Sequence, residues 1–89
     1  MGDSPAVRLD VWLDVACLFK SRSQAQRACA LGRVEVNGDR GKAHRLIRPG
    51  DRIRISLPAG RGRIVEVVGI ADRNVSRANA RELYLDHTP

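Results

Sequence analysis

Aromatic side chains are nearly missing from this 89-residue sequence, where Trp12, Phe19 and Tyr84 make up the whole 3%. Proteins that hold unpaired nucleotides stack bases on exposed rings. The three rings here fall on apolar helical stripes, so no stacking platform is expected. Cysteine is scarce too: Cys17 and Cys29 form no C-x-x-C, and His44 and His87 add too little for a closed zinc site. Both cysteines fall on apolar helical faces and read as core residues, with no disulfide and no metal. No apolar run approaches the roughly 18 residues of a membrane span. The start Met1-Gly2-Asp3-Ser4-Pro5 lacks the basic and apolar regions of a secretory signal, and Ala6 stands where myristoylation requires Ser or Thr. A cytoplasmic protein without a membrane partner is expected. A chain this short buries only about 60–65% of its unfolded surface, which allows one small core and excludes a large enzyme. Nucleophile–base–acid sets, a glycine-rich phosphate loop and H-x-E with C-x-x-C are absent, and His44 and His87 read as surface residues. Gly38, Gly41, Gly60 and Gly62 sit between strands, as turn residues do. The expectation is a non-enzyme with no cofactor.

What the sequence does have is positive charge. Sixteen Lys and Arg oppose ten Asp and Glu, for +6 overall, and residues 15–63 alone hold twelve cations against Glu35, Asp39 and Asp51, a local balance of +9. The flanks carry −3. A concentrated positive surface is the electrostatic footprint of a polyphosphate partner, although a compositional preference for Arg would also produce it.

Leu9, Trp12, Leu13 and Ala16 recur at i, i+3, i+4 and i+7, with Val15, Cys17 and Phe19 widening the stripe, which predicts a first amphipathic helix. Asp10 and Asp14 lie opposite, a like-charged i,i+4 pair expected on the solvent face with only a weak dipole role. Ser21-Arg22-Ser23-Gln24 has the form of a capping box opening a second helix that runs to about Leu31. Ala25, Ala28 and Cys29 give it a face of small residues, and Gly32 a left-handed stop. Val34 and Val36 lead into Asn37-Gly38, a strong hairpin signal. Pro49-Gly50-Asp51 marks a turn before Ile53, Ile55 and Leu57, which alternate with Arg52, Arg54 and Ser56. Residues 63–69 read as a further strand, and Ser76 as the cap of a terminal helix carrying Ala80, Leu83 and Tyr84. The predicted class is α+β: two packed helices on a small, mainly antiparallel sheet, plus a short C-terminal helix. The expected limits are a flexible 1–7, a domain over 8–70 and a helical tail over 71–89.

The second helix begins against its own dipole. Lys20 and Arg22 flank its N-terminus, where cations are disfavoured by up to about 1 kcal/mol. A bound anion would remove the conflict, since free amides, dipole and cations then converge on one phosphate. Arg22 with Gln26, and Ser23 with Arg27, align at i,i+4 as a polar strip. Without a stacking platform, structured RNA fits this surface better than a single strand.

These residues also resemble a family. Arg8-Leu9-Asp10-x-x-Leu13, Ser21-Arg22-x-x-Ala25, Gly32-x-Val34-x-Val36-Asn37-Gly38, Lys42 and Ile47-x-x-Gly50-Asp51-x-Ile53 are similar, in order and spacing, to the signature of the S4 RNA-binding domain. The remainder resembles the short tail of stand-alone members of the heat-shock and ribosome quality-control types, without a long basic extension after Tyr84. The resemblance implies an α-L motif gripping structured rRNA or tRNA, on large ribosomal subunits that still hold peptidyl-tRNA. It implies RNA contacts at Arg8, Ser21, Arg22 and Lys42. Charge and geometry add Lys20, Gln26, Arg27, Arg40, Arg45 and Arg54, and a monomer is expected. Two rival readings remain: the appendage of an RNA-modifying enzyme or tRNA synthetase, and a small ribosome-assembly protein.

Overall fold

The computed structural model describes residues 6–57, 60, 62–70 and 80–88. Its strands are β1 (Val7–Arg8), β2 (Val34–Val36), β3 (Asp39–Arg40), β4 (Leu46–Ile47), β5 (Arg52–Ser56), β6 (Gly62–Val67) and β7 (Tyr84–Asp86). Its helices are α1 (Leu9–Val15) and α2 (Arg22–Ala30). Among the described residues the main sheet is antiparallel in the order β3-β2-β5-β6-β7, and β1 pairs with β4 as a separate ribbon.

Period-2 alternation sends Val34, Val36, Ile53, Ile55, Val65 and Val67 to one face of the sheet, where they meet Leu9, Trp12 and Leu13 of α1. Ala25, Ala28 and Cys29 are the buried positions of α2, and their small volume lets α1 lie close beside them. Burial pushes the Cys29 thiol up to about 11, with the Asp10 charge adding to the shift, so Cys29 behaves as a small apolar residue. Trp12 is fully buried; its indole N–H donates to the Gly69 carbonyl at 2.9 Å and its ring meets Tyr84 edge-on.

Local chemistry sets the punctuation. Ser21 Oγ accepts the Gln24 amide at 3.2 Å, capping α2 as the sequence predicts. Gly32, at φ 73°, ends α2 in a Schellman turn, with Arg33 N–H donating to Ala28 O and Gly32 N–H to Cys29 O. Asn37 and Gly38 both take positive φ in the β2–β3 hairpin, and Gly50, at φ 97°, closes the Pro49 turn.

Four expectations are corrected. The apolar stripe does not continue through Cys17 and Phe19, because α1 ends at Val15 in a second Schellman turn: Leu18 N–H donates to Leu13 O and Cys17 N–H to Asp14 O. Cys17 occupies the left-handed position at φ 59° and is exposed, so it is not a core residue. Tyr84 lies on a strand and not on a helix: the described tail is Ala80, one 3-10 turn over Arg81–Leu83, and then β7 on β6. Ser76, its expected cap, lies outside the described residues. Gly41 is no simple turn glycine either, since it is buried where a Cβ would come within 2.8 Å of Leu9 Cδ2 and 3.1 Å of Val36 Cγ2.

Candidate nucleic-acid interface

For Arg22, the conflict at the start of α2 is resolved from within the chain. Asp10, expected on the solvent face, is completely buried. Arg8 Nε and Nη2 donate to its Oδ1 and Oδ2 at 3.1 Å each, Arg22 Nε donates to Oδ2 at 3.1 Å, and Gln26 Nε2 donates to Oδ2 at 2.8 Å. The Val11 amide completes the set on Oδ1 at 2.8 Å. Burial by itself would raise the carboxyl's pKa, but the hydrogen bonds from Gln26, Arg22 and Arg8, together with the Arg22 charge, outweigh it and hold the group below the usual carboxylate range. A buried carboxylate is tolerated because its acceptor sites are filled by charge-assisted donors. Among the described residues no buried side-chain polar atom lacks a partner.

This carboxylate organises a surface. The Arg8 and Arg22 side chains are 44% and 48% exposed, so each guanidinium is anchored on one side and open to water on the other. Arg22 gives Asp10 only its Nε, leaving its Nη donors outside the cluster. Two long side chains that would otherwise sample many rotamers are therefore held in one arrangement, and the pair keeps a net positive charge after Asp10 is counted.

A second segment docks against the first. Asp10 N–H donates to Ala43 O at 3.1 Å and Leu9 N–H to Arg45 O at 2.8 Å, while β1 pairs Arg8 with Leu46. Gly41 permits this close approach to Leu9. Exposed Lys42 and half-buried Arg45 thus lie beside Arg8, far from it in sequence but adjacent in the fold.

The sequence-predicted residues therefore separate into groups. Arg8, Arg22 and Gln26 come together around Asp10, and the segment carrying Lys42 and Arg45 is hydrogen-bonded through its backbone to Leu9 and Asp10; Ser21 spends its hydroxyl on the α2 cap one residue before Arg22, with Lys20 before it. Arg27 is exposed one turn along α2. Arg40 is engaged at the other end of that helix, donating Nη2 to Ala30 O at 2.8 Å, a helix C-terminal cap. Arg54 is not brought to this surface: it alternates with core-facing Ile53 and Ile55 and so lies on the sheet face turned away from the helices. The residue that sequence reasoning missed is Asp10. Its signal was present, because two cations and an amide at the start of α2 with no acid in its first turn demand an anion, and the chain supplies one.

Among the described residues no group of three or more His, Cys, Asp or Glu side chains is placed to hold a metal ion. No described helix is long and apolar enough to cross a membrane.

Comparison with known proteins converges on one kind of relative. A family model described as the S4 domain matches residues 7–53, which span the whole cluster from Arg8 to Arg45. Over 78 residues, covering 88% of this chain and 86% of the relative, the sequence is 32% identical to the RQC P-site tRNA stabilizing factor of Halalkalibacterium halodurans. It is 35% identical over 78 residues to the Heat shock protein 15 homolog of Aeromonas salmonicida, where it covers 58% of that protein. In three dimensions it is similar to Heat Shock Protein 15 of Vibrio cholerae, whose structure is trimeric: the TM-score is 0.84 at 29% identity, over 92% of this chain and 82% of the other.

Proposed function

The chain belongs to the S4 domain family, and on that premise we propose that it binds structured RNA, namely rRNA of the large ribosomal subunit together with tRNA, without performing chemistry. The observation that carries this reading is the buried Asp10 carboxylate holding Arg8, Arg22 and Gln26 in place beside the Lys42–Arg45 segment. Such an array presents anchored, half-exposed cations, which suits recognition of a folded RNA through its phosphates and shape. The relative named for stabilising P-site tRNA supports the tRNA half of the proposal. In this reading the protein acts in the cytoplasm on stalled large subunits that still hold peptidyl-tRNA. The RNA surface comprises Arg8, Lys20, Ser21, Arg22, Gln26, Arg27, Lys42 and Arg45, while Arg40 serves α2 and Arg54 lies outside the interface.

Crosslinking in cells followed by sequencing of the bound RNA tests the partner: recovery of a large-subunit rRNA helix with tRNA is expected, and messenger RNA or DNA alone would contradict the proposal. Titration in vitro tests the surface. If about five phosphates are neutralised, affinity falls roughly 500-fold between about 50 and 200 mM salt. Arg22→Ala weakens binding by about 1–3 kcal/mol with the domain still folded, whereas Arg54→Ala changes it by less than about 0.5 kcal/mol.

A further inference from the structure

Beside the Asp10 cluster, the C-terminal turn of α1 and the tail enclose an open groove of about 650 Å³. Its lining includes Phe19, Lys20, Arg63, Arg81 and Tyr84, with Asp14 as the acid. Lys20, which lines the groove, immediately precedes the Ser21 cap of α2 and is itself one of the residues of the proposed RNA surface. Its walls combine two features that the sequence kept apart. Three cations oppose one acid at the lining, although Arg63 also pairs with Asp86 at 3.0 Å. Two of the chain's three aromatic rings are there as well: Phe19 and Tyr84 are half-buried, in contrast to fully buried Trp12.

The geometry at Tyr84 is already layered. The Arg63 guanidinium lies over the Tyr84 ring at 5.6 Å from its centroid, Arg63 Nη2 donates weakly to the Tyr84 hydroxyl at 3.4 Å, and the ring packs edge-on against Trp12. An arginine plane fixed on an aromatic ring is a surface on which an unpaired base can stack, and Phe19 lines the same groove. Cations on the rim take up the flanking phosphates. Phe19 and Tyr84 pack against the edge of the core and are only partly buried, since the apolar stripe that was to bury Phe19 ends four residues before it and Tyr84 belongs to an edge strand.

We infer that this groove is a second subsite of the RNA surface, which takes an unpaired nucleotide of the bound RNA, its base against Phe19 and the Arg63–Tyr84 layer and its phosphate toward Lys20 and Arg81. The inference rests on the proposed RNA binding and extends it from structured RNA alone to structured RNA with an adjoining single-stranded nucleotide.

Zero-length ultraviolet crosslinking of the whole protein to ribosomal RNA and tRNA, with the attached residue read by mass spectrometry, tests it. Adducts at Phe19 or Tyr84 to unpaired nucleotides are expected, and Arg81→Ala reduces their yield about fivefold or more. Phe19→Leu, which keeps apolar packing, removes the Phe19 adduct; buried Trp12 fluorescence confirms that both variants are folded. Adducts confined to α2 and the Lys42–Arg45 segment would overturn the groove and leave the first surface standing. An absence of any protein–RNA adduct, with no salt-dependent binding, would overturn both.

Discussion

Replacing Asp10 by Asn separates organisation from charge. The substitution keeps size and shape, and an Asn oxygen at the Oδ1 position still accepts from Arg8 Nε and the Val11 amide. The amide nitrogen then sits at the Oδ2 position, facing three donors: Arg8 Nη2, Arg22 Nε and Gln26 Nε2. Breaking a fully buried ion pair costs about 3–5 kcal/mol, but the two guanidiniums here are about half exposed and regain water, so a loss of about 2–3 kcal/mol is expected at neutral pH. A domain of this length has roughly 4–13 kcal/mol in hand, so the variant remains folded. The pH dependence follows from the direction of the shift. Because folding lowers the Asp10 pKa, its contribution is fully present above the unfolded value near 4 and is lost as pH falls through the folded value. Denaturant unfolding followed by Trp12 fluorescence therefore shows wild type and variant diverging at neutral pH and converging in strong acid. RNA binding gives the sharper contrast. The variant is one unit more positive, so simple attraction predicts tighter binding. Preorganisation predicts the reverse, because Arg22 and Gln26 lose their acceptor and Arg8 keeps only its Nε bond, so these side chains must be ordered again at about 0.5–1.5 kcal/mol each, for a net weakening of about 1–3 kcal/mol. Tighter RNA binding by Asp10→Asn at every salt concentration would refute the organising role of the carboxylate.

Other substitutions test the fold around the site. Cys17→Gly relieves a left-handed side-chain-bearing residue at the end of α1 and should stabilise the domain by about 0.5–1 kcal/mol in thermal or urea unfolding; destabilisation would mean the thiol has an unrecognised contact. Gly41→Ala forces a methyl against Leu9 and Val36 and should cost about 1–3 kcal/mol, weakening RNA binding as well because the Lys42–Arg45 segment is displaced. Leu13→Ala empties a fully buried position between α1 and the sheet and should cost about 2–5 kcal/mol while leaving the RNA affinity of the folded fraction within about twofold. In the tail, the Asp86 carboxyl is held down to about 2, chiefly by hydrogen bonding to Thr88 and also by Arg63, so Asp86 stays ionised and carbon-13 NMR should show no titration of it above about pH 4.

What the sequence determines by itself is everything whose cause lies within a few residues. Ser21 caps because its hydroxyl reaches an amide three residues on, and Gly32, Asn37, Gly38 and Gly50 turn the chain because left-handed backbone favours those residue types. Ile53 and Ile55 point inward because side chains alternate on a strand, and Arg22 aligns with Gln26 because helices repeat every 3.6 residues. The local concentration of cations is likewise a matter of counting. Tertiary structure decides what depends on which faces meet. A polar residue beside an apolar stripe reads as solvent-facing, yet the packing of α1 on α2 brings Asp10 to the N-terminal part of α2, where Arg22, which looked misplaced, finds an anion and Gln26 an acceptor. The same packing ends α1 before Phe19 and draws Tyr84 out of its expected helix onto the edge of β6, since strand pairing satisfies its backbone. Arg8, Arg22 and Arg54 are alike as sequence; their separation into anchored surface residues and a residue on the opposite sheet face comes only from the folded chain.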